Sequence, residues 1–482
     1  MMIIAKKVLT LLRKPTYLLM ELLENKSFSL RQINGSVYAF ILITACFALW
    51  GFANNVTTPM VGAFSKIFRI STTEAAMVPV VFHLGYFCMA FPAAIFIQRY
   101  TFKTGVLVGL GLYALGALLF LPAKAIGVFA PFLIAYFVMT CGLSFLETSC
   151  NPYVFCLGKS EEEGKEKGER KGIQRLNAAQ AFNAIGSLVG MLVAMSVHSR
   201  LSPVDTNHRL QLPIKEFDII KNHDLSILIQ PYIYISAIVI ILLVVIFLSK
   251  KGWEVKNEVW KEDGENNGVN RGNFLTTIQE LLHHKNYREG VIAEFCYVGA
   301  QAGCWTYIIL YGTRIFMAEG MTEQESEILS QEYNIIAMIF FACGRFVCTW
   351  LMQWFSPERL LSTMGIIALS ALIGVIFFTD RHGIYCLVTV SICLSLMFPT
   401  IYGLALRDIG KNIKIAGAGL IMAILGGSFF PPIQAMIIES EATLFGLPST
   451  NLSFFIPLIC LAMIIWFGHR AYVRHSIQGT PE

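Results

Sequence analysis

Long apolar blocks separated by short polar breaks run along this chain from about residue 38 to residue 470. Each block approaches the roughly 20 residues that a helix needs to cross a bilayer. Twelve can be marked, at about 38–61, 73–97, 104–122, 128–156, 176–199, 230–249, 288–316, 331–354, 360–379, 384–405, 415–438 and 452–470. Two hydrophilic stretches interrupt the even spacing, GKSEEEGKEKGERKGIQR (158–175) and SKKGWEVKNEVWKEDGENNGVNRGN (249–273). The second divides the blocks six and six. The pattern predicts an all-α polytopic membrane protein with twelve transmembrane helices. Its expected parts are a basic tail (1–37), a six-helix bundle (38–249), a central loop (250–287), a second six-helix bundle (288–470) and a short tail (471–482).

Composition narrows this further. Of the 482 residues 55% are hydrophobic and 14% charged, too few charges to cover a soluble surface of this size. The net charge of +5 matters less than its placement. Basic residues gather in the N-terminal tail, at Arg99 and Lys103, in 158–175, in the central loop, and at Arg359, Arg407, Lys411, Lys414 and Arg474. The loops 317–330 and 439–451 have none. Lys66, Arg69, Lys124, Arg381 and the bases of 201–229 fall on the other side, but the excess places both termini in the cytoplasm. The twelve cysteines form no CxxC pair and no Cys/His alternation, so neither a zinc site nor a disulfide framework is expected. They read as small packing residues. Residues 1–37 lack a signal-peptide pattern. They read as a weakly amphipathic segment on the cytoplasmic surface, or as the product of a misassigned start.

The halves echo each other. AAIFIQRYTFKTG (93–105) and WLMQWFSPERLLS (350–362) each place a Gln, an aromatic and a base at a membrane exit. CNPYVF (150–155) and MFPTIYG (397–403) carry a proline at similar depth, and GSLVG (186–190) and GAGLIMAILGG (417–427) are both glycine-rich. Parallel six-helix repeats around a midplane cavity are the layout of the major facilitator fold.

The candidate chemistry lies inside the apolar blocks. In CGLSFLETSCNPYVFCLG (141–158) Glu147 sits mid-helix, where a carboxylate persists only facing protein or a water-filled cavity. Asn151 is one turn on and shares that face, and Pro152 removes a backbone donor beside them. Desolvation disfavours the charged form, which makes an unpaired Glu147 a candidate proton carrier; the alternative is an acid hydrogen-bonded across helices. In RLNAAQAFNAIGS (175–187), Asn177, Gln180 and Asn183 draw a polar stripe. Such amides suit a neutral polyhydroxylated ligand, or serve as interhelical glue. In LWGFANNVTTP (49–59) the adjacent amides cannot share a face, so one of Asn54 and Asn55 is expected in the cavity and the other in a helix contact.

In AEFCYVGAQAGCWTYIILYG (293–312), Glu294, Gln301 and Trp305 fall nearly in line. Gln301 and Trp305 would offer an amide and an aromatic platform to a sugar ring. Glu294, roughly 10 Å nearer the cytoplasm by helix rise, is either a second cavity acid or one reaching the interface. His83 titrates in the range for proton work, or bonds to a helix neighbour. Arg345 is expected to pair within its own half or to snorkel. Arg99, Lys103 and Arg359 are candidates to latch the halves at the cytoplasmic side, or contacts for lipid headgroups. No Walker, G-x-S-x-G or HExxH motif and no carboxylate cluster of metal type occurs, so neither an enzyme nor a cofactor or metal is expected.

FALWGFANN (47–55), GYFCMAFPAAIFIQRYTFKTG (85–105), LETSCNPY (146–153), RLNAAQAFN (175–183), AEFCYVGAQAGCW (293–305), CGRFVCTWL (343–351) and FPTIYGLALRDIGK (398–411) together resemble the fucose permease branch of the major facilitator superfamily. That branch comprises sugar–proton symporters for fucose, glucose/galactose and amino sugars. The resemblance implies that Glu147 is the family's membrane acid, and that Asn55, Gln180 and Asn183 are sugar-site positions. It also aligns Gln301 and Trp305 with the family's span-7 motif. Two positions depart: Thr58 stands where the fucose permease carries an aspartate implicated in proton transfer, and Glu294 where glutamine is usual.

The expected activity is therefore import of a monosaccharide across a bacterial inner membrane by alternating access. Protons would be carried by Glu147, alone or with Glu294 or His83. Asn55, Glu147, Asn151, Gln180, Asn183 and Gln301 would meet sugar hydroxyls, and Trp305 the ring. The expected partners are the sugar, a proton or sodium, and the bilayer, with no nucleic acid and a functional monomer. An uncoupled or sodium-coupled facilitator, an exporter of another polar solute and, more distantly, an enzyme acting on lipid-linked sugar are the alternatives.

Overall fold

The computed structural model describes residues 30–57, 60–75, 77–157, 165–202, 209, 211–249, 253, 271–440, 443 and 446–478. Residues 1–29, Thr58, most of the central loop and residues 479–482 lie outside the described residues, and with them the expectations placed there. The long helices are α1 Leu30–Thr57, α2 Met77–Arg99, α3 Phe102–Leu118, α4 Ala130–Cys156, α5 Lys165–Arg200, α6 Gln230–Leu248, α7 Lys285–Ala318, α8 Glu323–Leu351, α9 Pro357–Phe377, α10 Arg381–Ala405, α11 Ile413–Glu439 and α12 Phe455–Gln478.

Among the described residues, 11 helices are long and apolar enough to cross a membrane. The remaining one is α7, 34 residues long, whose amides, tyrosines and two glutamates interrupt its apolar run. Caps fix several starts. The Thr101 hydroxyl accepts the Thr104 amide at 3.2 Å ahead of α3, and Thr322 and Glu325 form a capping box on α8. Asp380 accepts the His382 amide at 3.1 Å on α10. Some helices outrun their apolar blocks. The first begins at Leu30, inside the expected tail, α5 begins at Lys165, and a helix at Ile214–Leu228 fills much of the expected 201–229 loop. Lys and Glu are good helix formers, so backbone hydrogen bonding continues past the apolar boundary.

Two helices are broken near mid-length. In α10 the break falls at Ser395 and Leu396, between Arg381–Leu394 and Met397–Ala405. Pro399 has no N–H to give the Ser395 carbonyl four residues back. In α11 a 3₁₀ turn, Ala423–Leu425, separates Ile413–Met422 from Gly426–Glu439. Elsewhere packing is close: a Cβ at Gly186 of α5 would overlap the Ala48 carbonyl of α1, the small-residue contact that lets membrane helices approach.

α1 to α6 and α7 to α12 form the two halves, which meet at the end carrying the basic loops. There α5 is zipped to the other half. The Arg170 guanidinium donates to the Met352, Gln353 and Phe355 carbonyls (3.1, 3.3 and 3.1 Å) at the C-terminus of α8. Gln174 Nε2 donates to Thr349 O at 3.1 Å and Asn177 Nδ2 to Thr400 Oγ1 at 3.3 Å. Arg407 pairs with Glu169 across the seam at 3.5 Å and with Glu358 at 2.5 Å. Lys414 Nζ donates to Ile97 O of α2 at 3.1 Å and lies 5.0 Å from the Phe102 ring.

Arg99, Lys103 and Arg359 do not make this latch. Lys103 donates to the Phe247 carbonyl at 3.2 Å and to that of Ser249, closing the end of α6 within its own half. Arg359 donates to the Tyr472 hydroxyl at 2.5 Å and lies over that ring, again within one half. Arg99 is exposed, with no bond or ion pair among the described residues. Arg170, Gln174 and Asn177 of α5, with Arg407 and Lys414, supply the seam instead.

Candidate functional site

Between the halves lies a cleft with about 560 Å³ of atom-free space, part of it open solvent. Its first half brings Trp50, Asn54 and Asn55 from α1, Phe82, His83 and Tyr86 from α2, Glu147 from α4, and Gln180 and Asn183 from α5. Facing them are Tyr297, Gln301 and Trp305 from α7, Phe341 and Arg345 from α8, and Phe398 from α10. The structure thus brings Asn55, Glu147, Gln180, Asn183, Gln301, Trp305 and His83 around one space. Both Asn54 and Asn55 line it, against the expectation that only one would: the cleft is wide enough to take side chains about 100° apart on a helix.

Phe398 forms part of the floor. Its ring centroid is 6.2 Å from that of Trp50, in the other half, and 6.1 Å from that of Tyr297. The break in α10 sets it there. Two expected site residues do not line the cleft. Asn151 is fully buried, its Oδ1 accepting from Gln180 Nε2 at 3.0 Å; one turn toward the basic end carries it away from Glu147's opening. Glu294 is sealed at 0% exposure, two turns along α7 from Gln301. It is neither a cleft acid nor an acid at the interface.

The polar inventory of the centre is unbalanced. Both carboxyl oxygens of Glu147 are buried without a hydrogen-bond partner among the described residues, although the Tyr86 phenol faces them. The same holds for both oxygens of Glu294, for Asn151 Nδ2 and for the Trp305 indole N–H. A buried donor or acceptor left unpaired is costly, and of these groups Glu147 and Trp305 border the cleft, where a ligand hydroxyl can reach them. Arg345, by contrast, is engaged. Its Nε donates to Ser395 O at 2.6 Å, the carbonyl that Pro399 cannot satisfy, and its Nη1 donates to Gln180 O at 2.6 Å and Gln180 Oε1 at 3.2 Å. Thus it bonds across the halves as well as within its own.

His83 Nδ1 lies 2.8 Å from Pro79 O of its own helix, as expected, and 2.8 Å from Ser428 Oγ of α11, in the other half. The amide stripe divides by depth. Asn177 is glue, bonded to Ile173 O at 3.0 Å and to Thr400, Gln180 both bonds and faces the cleft, and Asn183 faces it. Sequence reasoning missed the aromatic walls, Trp50, Phe82, Tyr86, Tyr297, Phe341 and Phe398. Aromatics are too common in these helices to stand out, and only the α10 proline hinted at a freed carbonyl.

Comparison with known proteins places the chain in context. The Major Facilitator Superfamily profile matches residues 41–431. An L-fucose-proton symporter of Haemophilus influenzae is 40% identical over 444 residues, covering 90% of this chain and 97% of the relative. An L-fucose-proton symporter of Escherichia coli is 30% identical, covering 91% and 94%. Among solved structures, the Major Facilitator Superfamily transporter FucP in the outward conformation superposes with a TM-score of 0.76 at 29% identity, over 91% of this chain and 99% of the other.

Proposed function

The chain belongs to the Major Facilitator Superfamily, and on that premise we propose that it carries a monosaccharide together with a proton across a bacterial inner membrane by alternating access. The relatives named as L-fucose-proton symporters make fucose the first sugar to test, ahead of other hexoses and amino sugars. The observation that carries the reading is Glu147: a buried carboxyl with no charged partner among the described residues, faced by the Tyr86 phenol and bordering a cleft between two six-helix halves. Such a group accepts a proton and offers it, as O–H, to a sugar hydroxyl, so that each ligand favours the other. Asn55, Gln180, Asn183 and Gln301 supply amides to further hydroxyls, and the Trp305 ring and indole N–H flank the sugar.

In this reading the basic loops and both termini are cytoplasmic. The zipped seam of α5 with α8 and α10 then closes the cytoplasmic side, and the cleft faces outward. Transport requires that seam to part while the opposite side closes, with the halves rocking about the site. The monomer contains the whole path.

The test is uptake in proteoliposomes. The unsubstituted protein should accumulate labelled L-fucose when a pH gradient is imposed and not when a sodium gradient replaces it. Glu147→Gln should abolish that accumulation while keeping sugar counterflow. Accumulation unchanged in Glu147→Gln, or driven by sodium alone, overturns the reading.

A further inference from the structure

Glu294 and Arg345 belong to the same half, yet in this conformation they are not paired. The Arg345 donors go to Ser395 O and, across the seam, to Gln180 O and Oε1, while both Glu294 oxygens lack a hydrogen-bond partner among the described residues. Both side chains are buried, Arg345 at 4% and Glu294 at 0% exposure. They sit on the packed pair α7 and α8, where Tyr297, one turn from Glu294, lines the same cleft as Arg345, and each feels the other's charge. The other titratable groups facing Glu294 are Tyr297 on its own helix, Glu147 from α4 and Tyr402 from α10; α11 and α12 bring no charged side chain to it among the described residues.

If the halves part at the basic end, Gln180 leaves with α5. Arg345 then loses two of its acceptors while keeping Ser395 O, Tyr297 and the Phe341 ring in its own half, none of which supplies a counter-charge, and a buried cation lacking one is costly. Glu294 is the acid within reach that has no other bond.

We propose that Arg345 is a two-position latch and Glu294 a second proton carrier: with the basic end closed Arg345 holds Gln180 and Glu294 is a neutral acid, and with it open Arg345 pairs with the Glu294 carboxylate. On opening, the bonds from Arg345 to Gln180 break, the Glu294 O–H gives its proton to water entering from the basic side, and the carboxylate accepts from the guanidinium. Closing reverses each step. This rests on the alternating-access reading, and assigns Glu294 a role outside the sugar cleft, in discharging a proton on one side only.

The test needs no sugar. Cysteines replace Lys171 and Gln353, which lie on opposite halves beside the Arg170–Gln353 bond. A short bifunctional thiol reagent is applied to the purified full chain, with the unsubstituted chain as background for its native cysteines. The cross-link yield should fall by about twofold or more from mildly acidic to mildly alkaline pH, as the population shifts toward the open basic end. Glu294→Gln should hold the yield at its acid level at every pH. Arg345→Gln should lower the yield throughout and remove the slope, with Arg345→Lys restoring part of both. A flat profile in the parent pair, or a slope that survives Glu294→Gln, overturns the proposal. Failure to move sugar would sink the transport reading and leave this result standing.

Discussion

Trp305 shows what a single side chain contributes. Its ring meets Phe341 edge-on, with centroids 4.9 Å apart and an interplanar angle of 87°, so its orientation is set by a neighbour on α8. The buried indole N–H has no hydrogen-bond partner among the described residues. Trp305→Phe keeps the ring contact and removes the donor, and a lost hydrogen bond to ligand is worth about 1–2 kcal/mol. KM for the transported sugar should therefore rise by about tenfold with little change in maximal rate, measured by concentration-dependent uptake; an unchanged KM would mean that the N–H does not meet the sugar. At this scale much was legible. An acid, amides and a tryptophan inside apolar blocks have few reasons to be there, and seven of the residues so singled out reach one cleft. The failures, Asn151 and Glu294, share a physical cause. Helical periodicity gives the face of a residue but not the depth of the floor, and Phe398, from a distant segment, sets that floor.

Helices were legible where composition alone decides them and illegible where neighbours do. Apolar length located every long helix, but not the charged extension of α5 back to Lys165, which Lys and Glu propensity sustains and whose Arg170 bonds to α8. The contact of α1 with α5 depends on the absence of a side chain at Gly186. Gly186→Val should push the helices apart and cost about 1–3 kcal/mol, visible as a lower melting temperature of the detergent-purified protein. An unshifted midpoint would mean that the helices can separate there freely. Pro399 has the opposite logic. By withholding a donor it leaves Ser395 O for Arg345, so a defect in one helix becomes a binding point for its neighbour.

The whole molecule is held in one state by its seam. Arg170 occupies the carbonyl end of α8, where a cation also meets the favourable end of the helix dipole. Charge-assisted hydrogen bonds of this kind contribute about 1.5–3 kcal/mol, so Arg170→Ala should raise the population open at the basic end by about tenfold or more. Native Cys348, 2% exposed and one residue from the Gln174–Thr349 bond, reports this directly. Its maleimide labelling, mapped by mass spectrometry, should increase correspondingly, and no increase would place the closing energy elsewhere. By itself the sequence determined the membrane class, the twelve spans, the division into halves and the residue types of the site, because lipid leaves helices as the workable backbone and makes each buried polar residue conspicuous. Tertiary structure alone decided which of those residues share a cleft, which lie beneath it, and that Arg345 joins the halves while Arg99, Lys103 and Arg359 do not. Those outcomes depend on contacts between segments more than a hundred residues apart, as between Gln180 and Arg345, and no local periodicity encodes which helix will stand opposite.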